Sequence, residues 1–190
     1  MIIYSQEEAL LNKSRIIREI LTGELFIYPT DTIYGIGCNA MNEKAVRKLR
    51  DVKRNLNMPL SIIAPSIEWI HENCEIVPEA KEWLERLPGP YTIILKLKNK
   101  NAVARSVNLG NGTIGVRIPN NWFSGIVKDI DTPIITTSAN ITGHNFMTCY
   151  EELDVLIKMS CSFMIDVGPI KGKPSTIVNL ATDVLSINER

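Results

Sequence analysis

The stretch Glu24-Leu25-Phe26-Ile27-Tyr28-Pro29-Thr30-Asp31-Thr32-Ile33-Tyr34-Gly35-Ile36-Gly37 decides the fold class. Residues 24–28 are mostly apolar and bounded by Gly23 and Pro29, which reads as a short buried strand. Thr30, Asp31 and Thr32 then form a polar strand-end turn, followed by two glycines that let a ligand approach the backbone. Upstream, Ser5 and Glu8 have the spacing of a capping box, and Ala9, Leu10, Ile16, Ile17 and Ile20 form an apolar stripe that Gly23 stops. One helix is expected there. Downstream, Asn42 caps a helix from Glu43 to about Lys53 with Val46 and Leu49 inward, and its end is cationic.

Continuing outward, the same alternation recurs. Strands are expected over 60–64, 91–98, 113–118, 134–137, 163–167, 176–180 and 184–187, and helices over 67–70, 78–87, 122–128 and 148–158. Helices interleaved with short strands make an α/β domain with a mixed, twisted sheet and flanking helices. No internal repeat, low-complexity stretch or long linker interrupts residues 1–190, so one domain is expected.

Composition narrows the classes. The 190 residues carry 21 Lys plus Arg and 21 Asp plus Glu, so the molecule as a whole exerts no long-range pull on a polyanion and any anion site must be local. Cys38, Cys74, Cys149 and Cys161 show neither zinc-knuckle nor redox spacing, which points to a reducing, cytoplasmic compartment. No uncharged run approaches the length of a membrane span, and the first residues do not read as a leader. His71 and His144 lack metal-ligand spacing, and no serine nucleophile elbow occurs, so a resident metal and covalent catalysis are not expected. Gly168-Pro169-Ile170-Lys171-Gly172-Lys173-Pro174-Ser175 imitates a phosphate loop, but its glycine spacing is one residue short and Pro follows the second lysine.

Three segments can carry chemistry. Tyr28 to Gly37 gathers hydroxyls, a carboxylate and aromatics, as a binding loop or as a polar turn. Pro133 to Asn140 runs from an apolar strand into Thr136, Thr137, Ser138 and Asn140, at a strand end where α/β sheets gather ligands; capping of the next element is the alternative. Arg117 lies inside the apolar strand Gly115 to Pro119 and needs a partner, which a ligand carboxylate would supply bidentately and a protein Asp or Glu would supply equally well.

Taken in order, residues 28–37, Met58-Pro59-Leu60, Leu87-Pro88-Gly89-Pro90-Tyr91-Thr92, Gly115-Val116-Arg117-Ile118-Pro119, Thr137-Ser138-Ala139-Asn140-Ile141-Thr142-Gly143 and Pro174-Ser175-Thr176-Ile177-Val178 resemble the YrdC-like threonylcarbamoyl-adenylate synthase family over nearly the whole chain, in its short form. That resemblance implies a twisted open sheet with a large concave cavity. It implies that Thr30, Thr32, Tyr34, Arg117 and Thr136 hold threonine, that Thr113, Ser138, Asn140 and Ser175 face ATP and the reacting groups, and that Lys53 and Arg54 lie by bicarbonate and phosphates. It also implies magnesium bound with ATP, a downstream threonylcarbamoyl transferase acting on tRNA, and at most weak contact of this chain with the tRNA. The chain departs from the family pattern in the adjacent Lys53-Arg54, where the family has one residue between them, and in Met58, Ile63 and Phe146. A non-catalytic module that binds RNA or an adenylate is the alternative function for this resemblance.

Overall fold

The computed structural model describes residues 1–182 and 184–189. Its strands are β1 (Ile2–Tyr4), β2 (Phe26–Pro29), β3 (Tyr34–Gly37), β4 (Ser61–Ile63), β5 (Tyr91–Lys96), β6 (Thr113–Arg117), β7 (Ile134–Ser138), β8 (Phe163–Ile165), β9 (Thr176–Asn179) and β10 (Ser186–Asn188). They form one ten-stranded sheet in the order β1-β8-β2-β3-β7-β4-β6-β5-β9-β10. The sheet is mixed: β8 is parallel to β1 and β2, β4 to β6 and β5 to β9, while the other neighbours run antiparallel.

Helices α1 (Gln6–Leu11), α2 (Lys13–Thr22), α3 (Glu43–Lys53), α4 (Ile67–Asn73), α5 (Pro78–Leu84), α6 (Arg105–Asn108), α7 (Phe123–Ile130) and α8 (Val155–Ser160) flank it. The capping box of Ser5 and Glu8 is formed, and the Asn42 side chain accepts from the Ala45 amide at the start of α3. Two expected helices are broken. The first divides at Asn12, whose backbone leaves the helical region, so Leu10 stays exposed while Ile16 and Ile20 are fully buried on α2. The segment 148–158 becomes a short 3-10 turn (Tyr150–Glu152) and then α8, because the Asp154 side chain caps the Leu156 amide and starts a new helix. Expectation missed β1, β3 and α6, which have three or four residues each and no full period to read.

Successive strand residues point to opposite faces, and both faces are buried. Phe26, Tyr28, Ile63, Ile134, Phe163 and Ile165 face one cluster, where they meet Ala9 of α1, Ile16 and Ile20 of α2, and Phe123, Ile126 and Val127 of α7. Within it the Tyr28 and Phe123 rings stack at 4.5 Å and Phe26 and Phe163 at 5.1 Å. The larger cluster on the other face includes the cross-strand row Ile135, Ile62, Val116, Ile93 and Val178, together with Val46 and Leu49 of α3. Among the described residues, no helix is long and apolar enough to cross a membrane.

Candidate active site

One step along each strand from that apolar row lie Thr136, Ser61, Gly115 and Ile94, paired side by side on the opposite face. There, towards β4, β6, β5 and β9, the face is lined by small and polar side chains and forms the floor of a cavity of about 420 Å³. Gly115 keeps the floor open, since a Cβ at that position would stand 2.5 Å from Ser61 Oγ.

The loop between β2 and β3 forms one wall. Thr30 Oγ1 donates to the Ile33 carbonyl at 2.7 Å and accepts from the amides of Thr32 and Ile33. Thr32 Oγ1 lies 2.8 Å from it, and the Thr32 oxygen in turn faces the Arg117 guanidinium at 3.4 Å. Arg117 Nη2 donates to Asp31 Oδ1 at 2.6 Å, and Asp31 Oδ2 accepts from the Asn120 amide at 2.9 Å. Burial lowers the Arg117 pKa and the Asp31 carboxylate opposes that shift. Nε of Arg117 is buried without a hydrogen-bond partner. Arg117 therefore has a protein carboxylate as partner and is among the residues that line the cavity.

Tyr34 also lines the cavity, but its hydroxyl is engaged: it accepts from the Val167 amide at 3.0 Å and lies within 2.7 Å of the Gly168 carbonyl and 2.9 Å of Asp166 Oδ1. Burial, together with the Asp166 carboxylate, raises its pKa well above the ordinary phenol value.

The opposite wall is built from the ends of α3 and β7. Lys53 Nζ donates to the carbonyls of Ser138 at 2.5 Å and Asn140 at 2.7 Å, and to Asn140 Oδ1 at 3.2 Å. That oxygen also accepts from Ser138 Oγ at 2.6 Å, while Asn140 Nδ2 donates to the His144 carbonyl at 2.5 Å. An ammonium has three protons, so Lys53 is saturated by the protein. Burial lowers its pKa to about 8.

Thr30, Thr32, Tyr34, Lys53, Thr113, Arg117, Thr136, Ser138, Asn140 and Ser175 all line this one cavity. Ser175 is joined to Thr92 by a 2.8 Å hydroxyl pair. Arg54 is outside that lining: it occupies the left-handed C-cap of α3, with φ of 53°, and is exposed. Of the departures from the family pattern, Met58 and Phe146 line the cavity, whereas Ile63 is in the core against α7. Sequence reading did not single out Asp31 as the partner of Arg117, or Thr92 and Asn55 as lining residues. For Asp31 the signal was present, as the carboxylate inside the hydroxyl-rich turn. Among the described lining residues none is Asp, Glu, His or Cys, so the donor set does not fit a resident metal ion.

The sequence profile of the Sua5/YciO/YrdC family, described as telomere recombination, matches residues 18–189. A Methanocaldococcus jannaschii protein, provisionally named a threonylcarbamoyl-AMP synthase, is 40% identical over 90% of this chain and 82% of its own length. A Pyrococcus abyssi threonylcarbamoyl-AMP synthase is 33% identical over 85% of this chain, which spans only 48% of that longer protein. The crystal structure of Pyrococcus abyssi Sua5 complexed with L-threonine superposes with a TM-score of 0.84 at 27% identity, over 98% of this chain and 56% of that one. By profile, sequence and fold, the chain belongs to the Sua5/YciO/YrdC family.

Proposed function

We propose that this chain is a threonylcarbamoyl-AMP synthase, which joins L-threonine, bicarbonate and ATP into threonylcarbamoyl-adenylate and releases pyrophosphate. The observation that carries the reading is Arg117, a guanidinium held by Asp31 and Thr32 on the wall of a cavity otherwise lined by hydroxyls and amides. A threonine carboxylate is the ligand group that a guanidinium fixed in this way recognises. The names of the relatives support the same substrates.

In the proposed reaction, the threonine amine adds to carbon dioxide derived from bicarbonate, giving a carbamate. A carbamate oxygen attacks the α-phosphorus of ATP, and the bond to pyrophosphate breaks. None of these steps needs a protein nucleophile; they need reactants held in line and charge met by fixed donors. The Thr30-Thr32-Arg117 wall orients the amino acid, with Thr136 beside it, and the Ser138-Asn140 end, held by Lys53, faces the nucleotide with Thr113 and Ser175. Magnesium enters as part of the ATP substrate, bound to its phosphates. Closing the site against water protects both the carbamate and the anhydride from hydrolysis.

The product is a mixed anhydride, so a transferase that moves the threonylcarbamoyl group to tRNA must consume it. We place the reaction in the cytoplasm, a reading supported by four free thiols, three of them buried. Pyrophosphate release that requires threonine, bicarbonate and ATP together tests the proposal. Binding of adenylate without release would mark an accessory module, and steeply salt-dependent binding of RNA without release would mark an RNA-binding one. Threonine should also raise Tm more than serine at equal concentration, because the apolar part of the pocket can bury its methyl group.

A further inference from the structure

The cavity holds little free positive charge for a triphosphate. Among its described lining residues the charged side chains are Lys53 and Arg117. Lys53 spends its three protons on Ser138 and Asn140, and Arg117 is paired with Asp31. Phosphates buried against hydroxyls alone would lack compensation.

The connection from β8 to β9 runs past the cavity with that charge on it. In the sheet β2, β3, β7, β4, β6 and β5 lie between these two strands, so residues 166–175 must span the width of all six. Ile170 in the middle of this connection packs against the larger apolar cluster, and Pro174 and Ser175 at its end line the cavity. The crossing is anchored along its length. Tyr34 Oη binds the backbone of Val167 and Gly168, and the Ile170 amide donates to the Thr148 carbonyl at 2.8 Å. Gly172 is pressed so closely on the β2–β3 loop that a Cβ there would come within 1.7 Å of the Thr32 carbonyl oxygen. At the far end Ser175 meets Thr92, and the Thr176 amide donates to the Pro90 carbonyl at 3.0 Å.

Lys171 and Lys173 flank Gly172, and both are exposed. Neither is engaged in any hydrogen bond or ion pair among the described residues. The geometry points to Lys171 and Lys173 as the cations that meet the phosphates of the nucleotide at the rim of the cavity, an assignment that rests on the proposed function. The anchored backbone fixes where the two stems begin, and an ammonium on a flexible stem can follow a phosphate that departs as pyrophosphate. The glycine between them is required by the Thr32 contact rather than by a phosphate-loop turn. This explains why the segment carries the composition of such a loop without its spacing.

Calorimetry on the full chain tests the assignment with ATP, pyrophosphate, adenosine and threonine as probes. In the double variant Lys171→Ala/Lys173→Ala, two exposed charges are removed and the affinities for ATP and pyrophosphate should fall about five- to tenfold, with a shallower dependence on salt. Adenosine and threonine affinities should stay within about twofold, since neither carries a phosphate. Lys171→Arg/Lys173→Arg should restore phosphate binding, and Tm should be unchanged in both variants because neither side chain has a partner to lose. ATP binding equal to wild type in the alanine variant overturns the assignment alone. An equal loss for adenosine and ATP also overturns it. A wild-type chain that binds neither ATP nor pyrophosphate overturns both the assignment and the proposed function.

Discussion

Arg117 on β6 and Asp31 in the loop after β2 are 2.6 Å apart, and both side chains are nearly out of solvent. The carboxylate holds one end of the guanidinium, and the Asn120 amide holds the carboxylate. The pair thus ties a loop to the middle of the sheet and fixes the guanidinium on the cavity wall.

Removing Asp31 leaves a buried, uncompensated cation. Asp31→Ala should lower unfolding free energy by about 3 kcal/mol in urea denaturation, the cost typical of breaking one side of a buried pair. Arg117→Lys keeps the charge but loses the planar fork, so it should lower stability and weaken threonine much more than ATP. Destabilisation with unchanged threonine affinity would remove Arg117 from the amino-acid pocket.

Ser138→Ala should reduce adenylate formation about a hundredfold, the usual scale for removing one oriented group where charge develops. The fold should survive, because the lost bond to Asn140 Oδ1 is partly exposed and Lys53 still holds that oxygen. Wild-type turnover in this variant would show that the end of β7 only caps the next segment.

Lys53 should titrate near 8, against about 10.4 for a lysine in the unfolded chain. Between those values the unfolded chain binds more protons, so the contribution of Lys53 to folding stability rises with pH across this window and is at its lowest below about 8. The difference in unfolding free energy between wild type and Lys53→Met should therefore increase from pH 8 to pH 10. The side-chain carbon resonance of Lys53 gives the titration directly, and a midpoint above 10 would contradict the burial argument.

At Gly172 the added methyl of Gly172→Ala has nowhere to go, since the atom it meets is the main-chain oxygen of Thr32. The crossing segment or the β2–β3 loop must shift. Threonine affinity and Tm should fall together, and a variant with both unchanged would show that the contact relaxes at no cost.

Much of this was legible in the sequence. Asn42 and the stripe of Val46 and Leu49 placed α3 within a residue, because a cap and a helical period reinforce each other. Three-residue strands such as β1 offer no period, and their existence depends on a distant partner, here Phe163 to Ile165. Likewise the hydroxyls of Thr30 and Thr32 announced a polar loop, yet the choice of Asp31 over a ligand as the mate of Arg117 needed the sheet to bring residues 31 and 117 together. Lys53 and Arg54 are neighbours with the same charge, and only the left-handed turn at Arg54 separates an inward cation from an outward one.

The pairing of Ile2 with Phe163 and of Tyr4 with Ile165 has a kinetic consequence. Closing that ladder joins segments about 160 residues apart, and such non-local contacts form slowly because their loop entropy must be met before they stabilise anything. The border of the sheet at β1 is thus set to form late in refolding, after the more local hairpin of β2 and β3, and until then the edge of β8 that β1 covers is open to pairing with another chain.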